Sequence, residues 1–332
     1  MPAPQYDVLG IGNAIVDVIA RTEDDFLVKH GMHKGAMALI DEPRAEAIYA
    51  AMGPAIEISG GSGANTIAGV ASFGARAAFV GKVKDDQLGQ AFAHDIRATG
   101  VAFATPAAAD GPSTARCYVL VTPDGERTMN TYLGAAQNLG PADIDEALIA
   151  SAGITYLEGY LWDPPQAKEA FRKAAQIAHG AGRKVALTLS DAFCVGRYRD
   201  EFLHLMRTGA VDLIFANENE LKSLYETDFD AGVAALRNDA KLAVVTRSEK
   251  GCIVLSDTGT EAVPAAPILK LVDATGAGDL FAAGFLVGLA RGKDHRTSAR
   301  LGALAAAEVI QHLGARPGAS LKALAQENGL PI

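Results

Sequence analysis

Short apolar runs rich in β-branched residues alternate along this chain with longer segments of helical periodicity. The runs predict buried strands, because near-continuous apolar stretches are typical of a sheet that is covered on both faces. We predict strands at Tyr6–Gly12, Ala77–Val80, Ile154–Glu158, Val185–Leu189, Leu213–Ala216 and Leu242–Thr246. We predict helices at Gln166–Ala181, Ala231–Asn238, Asp279–Arg291 and Ser298–His312. This alternation indicates an α/β fold with a mostly parallel sheet.

Two stretches, at about 18–60 and about 102–135, break the alternation, since they hold strand patterns without a long helix between the strands. Cys117–Thr122 and Arg127–Tyr132 flank the sequence Pro-Asp-Gly, which is typical of a hairpin turn. We predict that both stretches form one small β lid over the carboxyl edge of the sheet, within a single domain of residues 1–332.

Composition narrows the class of partner. The net charge of −9 disfavours a nucleic-acid partner, which normally requires a basic surface, but leaves an anionic small molecule open. Cys117, Cys194 and Cys252 lie apart inside apolar runs, so we expect buried thiols and a reducing, cytoplasmic location. The N-terminus lacks a secretory pattern and the apolar stretches are too short or too rich in glycine to span a bilayer, so no membrane partner is expected. A monomer and a homodimer both stay open.

The most informative segment is the glycine-rich turn at Gly276, Ala277 and Gly278, which opens a predicted helix. Small residues let backbone N–H groups approach an anion, and the helix N-terminus adds unpaired donors and a favourable dipole. Asp279 falls in the first turn, where a carboxylate can accept the proton of an attacking hydroxyl. The alternative is a simple turn in which Asp279 only complements the helix dipole.

Two long segments carry a family resemblance. Residues 273–279, DATGAGD, resemble the C-terminal signature of ribokinase-like carbohydrate kinases (PfkB type), and SGGSGANTIAGVASFGARAAFVGKVKDDQLG resembles their N-terminal signature. The resemblance covers essentially the whole chain and implies an ATP-dependent kinase with a parallel sheet, helices on both faces and a β lid. It also implies that Asp279 is the general base and that the backbone of Gly276, Ala277 and Gly278 forms the anion hole.

Two further segments concern the nucleotide. Asn217 suits a helix N-cap and places Glu220 in the first turn, a pattern that also occurs without any ligand. The resemblance implies that Asn217 and Glu220 organise Mg²⁺ around the phosphates, with Glu220 acting through water. The loop after the strand at 242–246 resembles the family's Thr-x-Gly-x-x-Gly sequence, although a serine replaces its first glycine. The predicted ATP-binding residues are Asn217, Glu220, Thr246, Arg247, Ser248, Gly251 and Gly278.

The acceptor side begins at the first strand, where Gly10, Gly12 and the residues after them invite a dinucleotide-binding interpretation. That fingerprint needs a third glycine where Ile15 stands, so an oxidoreductase is disfavoured. The resemblance implies instead that Asp17 binds paired hydroxyls of the acceptor and that Asn65 binds a further hydroxyl. The predicted acceptor-binding residues are Asn13, Asp17, Met37, Gly60, Gly61, Ser62, Asn65, Tyr132 and Tyr160.

The identity of the acceptor depends on the lid. The opening GNAIVDVIARTEDDFLVKHGMHKGAMALID is more similar to adenosine kinases than to ribokinases, and an apolar lid with Met37 suits a flat base. Trp162 and its aromatic neighbours could serve the base or the core. We therefore predict phosphorylation of the 5′-hydroxyl of adenosine to AMP. A sugar kinase for ribose or fructose and a catalytically silent nucleoside-binding protein are the alternatives. Asp273 and Thr275 resemble part of a potassium site in ribokinase, and a requirement for K⁺ stays open.

Overall fold

Over residues 3–332, which the computed structural model describes, the strands divide between a large and a small sheet. The strands are β1 (Tyr6–Ile11), β2 (Ile15–Arg21), β3 (Met37–Leu39), β4 (Ala55–Gly60), β5 (Ala77–Val80), β6 (Val101–Phe103), β7 (Ala115–Val121), β8 (Arg127–Tyr132), β9 (Ala152–Glu158), β10 (Lys184–Thr188), β11 (Leu213–Asn217), β12 (Leu242–Thr246), β13 (Cys252–Ser256) and β14 (Gly259–Val263). The helices are α1 (Asp24–Lys29), α2 (Glu42–Ala51), α3 (Ser62–Ser72), α4 (Gln87–Ala98), α5 (Glu146–Ala150), α6 (Pro165–Gly180), α7 (Ala192–Arg207), α8 (Glu218–Tyr225), α9 (Phe229–Asp239), α10 (Ala277–Ala290), α11 (His295–Val309) and α12 (Leu321–Glu327).

The large sheet has the order β14-β13-β12-β11-β10-β9-β1-β5-β6 and is parallel from β12 to β6, with β13 and β14 antiparallel at one edge. One face packs on α3, α10 and α11, and the other on α6, α7 and α8. Strands buried on both faces need apolar side chains at nearly every position, which is why their sequences lack alternation. The predicted α/β fold with a mostly parallel sheet is confirmed, and every predicted strand and helix occurs within a few residues of its expected bounds.

Helix α10 is apolar on nearly every side because it lies between α3 and α11. Gly284 allows close approach, since a Cβ there would lie 2.5 Å from the backbone of Leu301. Gly288 does the same against Ser298. This tight packing fixes the start of α10, and with it the glycine-rich turn, at the carboxyl edge of the sheet.

The small sheet has the order β3-β8-β7-β2-β4 and lies at the same edge, because β2 continues directly from β1 and β4 leads into α3. Its outer face packs Val16, Val18 and Tyr118 against Ala45 and Ile48 of α2. Among the described residues, every helix is too short or too polar to cross a bilayer.

One expectation needs correction. Strand β6 (Val101–Phe103) overlaps the start of the stretch predicted for the lid, but it pairs with β5 at the edge of the large sheet. The reason is that α4 returns the chain to this edge, where Val101 and Phe103 bury their side chains in the main core.

Candidate active site

Asp279 occupies the first turn of α10, below the small sheet. The Ser62 hydroxyl donates to its Oδ1 at 2.7 Å, and the Asn65 amide Nδ2 donates to its Oδ2 at 3.3 Å. Burial raises the pKa of Asp279 to about 6, although both hydrogen bonds and the charge of Arg316 oppose the rise. A carboxylate with a pKa near neutrality suits a general base, because it is both ionised and basic at working pH.

The turn before Asp279 is shaped by Gly276, which is the N-cap of α10 and has a φ of +80°. A Cβ at Gly276 would lie 2.7 Å from the Cα of Ala315, so only glycine fits. A Cβ at Gly278 would meet nothing within 4 Å, so this side of the turn faces open space. The Ala277 amide makes a long 3.3 Å bond to the carbonyl of Ala274 within the turn. The helix N-terminus is therefore open to an anion at Gly278.

Asp17 lies on β2, on the face of the small sheet that is turned away from α2. A Cβ at Gly60 would come within 2.3 Å of the Asp17 carboxylate, so the backbone of Gly60 lies directly against it. Burial raises the pKa of Asp17 to about 6; Arg316 and Arg127 lower it, and Asp279 raises it further. Asp17 and Asp279 thus lie close enough for the charge of one to act on the other.

Glu158, at the end of β9, was not singled out from the sequence. Its carboxylate accepts bonds from Asn13 Nδ2 at 2.7 Å, from the Asn13 backbone N–H at 3.3 Å and from the Gly63 N–H at 2.7 Å. Burial raises its pKa to about 7. The sequence did hold a signal for Glu158, because this carboxylate is the last residue of an otherwise apolar strand and so lies at the carboxyl edge of the sheet. Glu158 therefore joins the turn that precedes Asp17 on β2 to the first turn of α3, which carries Asn65.

Asn13, a predicted acceptor ligand, is 1% exposed and gives its amide N–H to Glu158. Its Oδ1 is buried and accepts no hydrogen bond from the described residues. Gly61 lies against the Asn13 carbonyl, which a Cβ would approach to 2.4 Å. The Asn13 amide is thus tied to Glu158, and the Ser62 hydroxyl is committed to Asp279.

The aromatic residues considered for the acceptor site lie in different parts of the structure. Tyr132 pairs with Arg116, which pairs in turn with Val16, so Tyr132 is on the face that packs on α2. The Arg116 guanidinium stacks 5.1 Å from its ring centroid. The assignment of Tyr132 to the acceptor is therefore wrong, because alternate residues of a strand face opposite sides. Tyr160 is at the carboxyl edge, where burial and, after it, nearby carboxylates raise its pKa. Trp162 is core, packed between the rings of two phenylalanines.

On the nucleotide side, Asn217 and Glu220 form a reciprocal cap at the start of α8. Glu220 N–H donates to Asn217 Oδ1 at 2.9 Å, and Asn217 N–H donates to Glu220 Oε2 at 3.0 Å. Burial raises the pKa of Glu220 to about 7, and the charge of Asp191 adds to the rise. A cation here would stabilise the ionised forms of Glu220 and Asp191. Among the described residues, no three His, Cys, Asp or Glu side chains converge as a metal site, so Mg²⁺ would depend on phosphates and water.

The loop after β12 is held in place by side-chain contacts to neighbouring elements. The Arg247 guanidinium donates to Glu218 at 3.3 Å and lies 3.9 Å from the centroid of the Phe229 ring, so its charge is already paired. Thr246 Oγ1 donates to the backbone carbonyl of Ala216 at 3.4 Å. The direct phosphate contact predicted for Arg247 would therefore require this side chain to leave Glu218.

Two backbone positions shape the rest of this loop. Ser248 has a φ of +52°, the conformation for which a glycine is the usual residue. Gly251 has a φ of +82°, and a Cβ there would lie 2.1 Å from the carbonyl oxygen of Val263. The loop thus keeps the glycine-type turn of the family sequence even though a serine stands at its first glycine.

Asp273 does not present a free carboxylate to a monovalent cation. Its Oδ1 accepts from Thr275 N–H at 3.1 Å and Thr275 Oγ1 at 2.7 Å, and its Oδ2 accepts from Gly314 N–H at 3.0 Å. Arg127 of the small sheet forms an ion pair with Oδ2 at 2.8 Å, and both side chains are about nine-tenths buried. The residues do not fit K⁺ at this carboxylate, because a guanidinium already supplies the positive charge.

We therefore expect activity without K⁺. Turnover in potassium chloride and in choline chloride of the same ionic strength should agree within about twofold, because only general screening is left. The measurement is a coupled ADP-release assay over a KCl titration. Saturable activation by K⁺ that sodium does not reproduce would contradict this expectation.

A cavity of about 590 Å³ lies elsewhere, at the amino ends of β10 to β12, where Lys184, Asp212 and Lys241 line it. It is at the opposite edge of the sheet from Asp279 and takes no part in this site. The site itself is an open cleft between the two sheets.

Comparison with known proteins gives consistent relatives. Residues 57–322 match the profile of the pfkB family carbohydrate kinases. The solved adenosine kinase from Sinorhizobium meliloti is 56% identical, with 98% of this chain and 99% of that one covered and a TM-score of 0.91. A probable sugar kinase protein from Rhizobium etli CFN 42 is 52% identical, with the same coverage and a TM-score of 0.93. Adenosine kinase from Saccharomyces cerevisiae is 28% identical over 328 residues, which is 92% of this chain and 94% of that one.

Proposed function

The chain belongs to the pfkB family of carbohydrate kinases and is an ATP-dependent kinase, and we propose that its acceptor is the 5′-hydroxyl of adenosine. The products are AMP and ADP. We treat the chain as one kinase domain with the small sheet as its lid. A cytoplasmic location and a monomeric or homodimeric state remain predictions.

The observation that carries the choice of adenosine is the inner face of the small sheet, the face that bears Asp17. Strand pairing places Asp17 beside Ile58 and Cys117, and Thr131 and Leu39 continue that row. The next row is apolar throughout and consists of Ile56, Ile19, Val119, Met129 and Met37.

This inner face is exposed at its two edge strands, β3 and β4, whereas Cys117, Val119 and Thr131 between them are less than 9% exposed. Met37 is 47% exposed, Leu39 52%, Ile56 70% and Ile58 38%. An apolar surface of this width beside a hydroxyl-binding carboxylate suits a purine base, which gains from stacking and desolvation. A free sugar would leave it uncovered.

We assign the chemistry to the contacts around Asp279. Its carboxylate accepts the proton of the 5′-hydroxyl while that oxygen attacks the γ-phosphorus and ADP leaves. The backbone of the turn at Gly276, Ala277 and Gly278, which is open at Gly278, stabilises the charge that develops on the transferring phosphoryl oxygens. Asp17 holds the ribose hydroxyls and thereby orients the 5′-oxygen.

The nucleotide is assigned to the neighbouring strand ends. Mg²⁺ bound to ATP would neutralise phosphate charge near Glu220, with Asn217 fixing the Glu220 carboxylate. Thr246, Ser248 and Gly251 border the same edge. Closure of the lid over the base would exclude water and limit hydrolysis of ATP.

We expect kcat/KM for adenosine to exceed that for ribose and fructose by about a hundredfold, the scale set by loss of a large buried group. A coupled ADP-release assay across these acceptors measures it. As a control, Leu39→Asn should lower kcat/KM for adenosine and leave that for ribose nearly unchanged, since only the base meets Leu39.

Equal or better efficiency with a free sugar would reject adenosine and favour the sugar-kinase alternative, which the resemblance to a probable sugar kinase supports. No ADP release with any acceptor would favour a nucleoside-binding protein without catalysis.

A further inference from the structure

Arg316 lies in the loop between α11 and α12, outside every motif of the sequence. Its Nε donates to Asn65 Oδ1 at 2.8 Å, and its Nη2 donates to Ser59 Oγ at 3.2 Å. Its positive charge faces the carboxylates of Asp17, Asp95 and Asp279. The guanidinium therefore sits between the acceptor ligand and the base.

The first consequence concerns the Asn65 amide, which can be turned either way by its surroundings. Arg316 has only donors, so it holds Oδ1 of Asn65 and directs Nδ2 to the Asp279 carboxylate at 3.3 Å. The opposite orientation would place the Asn65 oxygen against the Asp279 oxygen. Arg316 thus keeps one of the two side-chain donors to the base in place.

The second consequence is electrostatic. The charged or titratable groups around Asp279 are Asp17 from β2, Tyr156 and Glu158 from β9, Tyr160 just after β9, and Arg316. Arg316 is the only cation in this set, which is drawn from the described residues. Burial lowers the pKa of Arg316 to about 10, which still leaves it charged at neutral pH. Its field favours the ionised form of both aspartates, the form that each needs in order to act.

We propose that Arg316 is a positioning residue for phosphoryl transfer: it orients Asn65 toward Asp279 and keeps Asp279 ionised beside Asp17. The inference rests on the proposed role of Asp279 as the base. It does not depend on whether the acceptor is adenosine or a sugar, because Arg316 acts on the base in either case.

Two variants separate charge from shape. Arg316→Gln keeps an N–H that can donate to Asn65 but removes the charge, whereas Arg316→Lys keeps the charge. With the full chain, MgATP and the best acceptor of the panel, we expect Arg316→Gln to shift the acidic limb of the kcat/KM profile upward by about one pH unit. The direction follows because loss of a nearby cation raises the pKa of Asp279, so the base is protonated at higher pH. Arg316→Lys should keep the limb within a few tenths of a unit of its wild-type position.

Melting temperature and circular dichroism show whether each variant is folded. Where turnover is too low for a profile, the ¹³Cγ chemical shift of Asp279 during a pH titration reports the same pKa. An unchanged limb in Arg316→Gln, or equal shifts in both variants, would overturn the proposal. Lack of turnover with every acceptor in the wild-type protein would instead count against the proposed function, and the carboxylate titration would still test Arg316.

Discussion

Asp279→Asn should lower kcat by about 10²–10⁴-fold while the dissociation constant for adenosine changes only a few-fold, because general-base catalysis is lost and the shape of the site is kept. The asparagine Oδ1 can still accept from Ser62, whose hydroxyl lies 2.7 Å from the present Oδ1. Of the described carboxylates around Asp279, Glu158 is held by Asn13 and Gly63, and Asp17 is assigned to the acceptor hydroxyls, so neither replaces the base. The measurements are steady-state ADP release and adenosine binding by calorimetry.

Asp17→Asn is the matched control, because it changes an aspartate of the same site that is not assigned to proton transfer. It should raise KM for the acceptor more than it lowers kcat, as expected for loss of charge-assisted hydrogen bonds worth about 1.5–3 kcal/mol. If Asp279→Asn keeps most of its turnover at saturating substrate, the assignment of the base is wrong.

The same carboxylate sets a pH dependence with a definite sign. Burial raises the folded-state pKa of Asp279 to about 6 from an ordinary value of 3.8, so kcat/KM should fall as pH drops below about 6. The same pKa shift has the opposite pH dependence in its contribution to folding stability. The folded protein retains this proton more strongly than the unfolded chain, so the contribution is full below pH 3.8 and is lost as pH rises through about 6. Asp279→Asn removes a buried charge and should therefore not lower the melting temperature at pH 8.

The sequence allowed the main sheet and the glycine-rich turn before α10 to be predicted, because each depends on a local pattern, and the resemblance of the two signature segments gave the reaction class. Strands buried on both faces have continuous apolar runs, and an anion-binding turn needs small residues before a helix. Gly276 and Asp279 are three positions apart, so one short segment specifies their relative positions.

Contacts between distant segments were not predictable in this way. Arg316 reaches Asn65 across 251 positions, and Glu158 reaches Asn13 across 145. Tyr132 shows a different limit. The alternation along β8 separates two faces, but both faces carry mixed residues, so the sequence alone does not tell which face meets the acceptor. Only the packing of α2 decides it.

Gly276→Ala should lower kcat by about 10²–10³-fold, the cost typical of losing a donor from a preorganised anion hole. An alanine Cβ at this position would lie 2.7 Å from Ala315 Cα, and the φ of +80° is unfavourable for any residue with a Cβ. The turn must shift, and the backbone at Gly278 shifts with it. Steady-state kinetics at saturating MgATP and adenosine measure the loss.

Gly292→Ala is the matched control at the other end of α10. Gly292 has a φ of +69°, and a Cβ there meets nothing within 4 Å, so alanine brings similar backbone strain without touching the site. Both variants should lose about 1–2 kcal/mol of stability to this strain, by chemical denaturation, but only Gly276→Ala should lose turnover. Equal kinetic losses in the two variants would mean that strain in α10, and not the anion hole, limits activity. Because the turn presents backbone rather than side chains to the phosphoryl group, this pair of glycines tests the anion hole separately from the base.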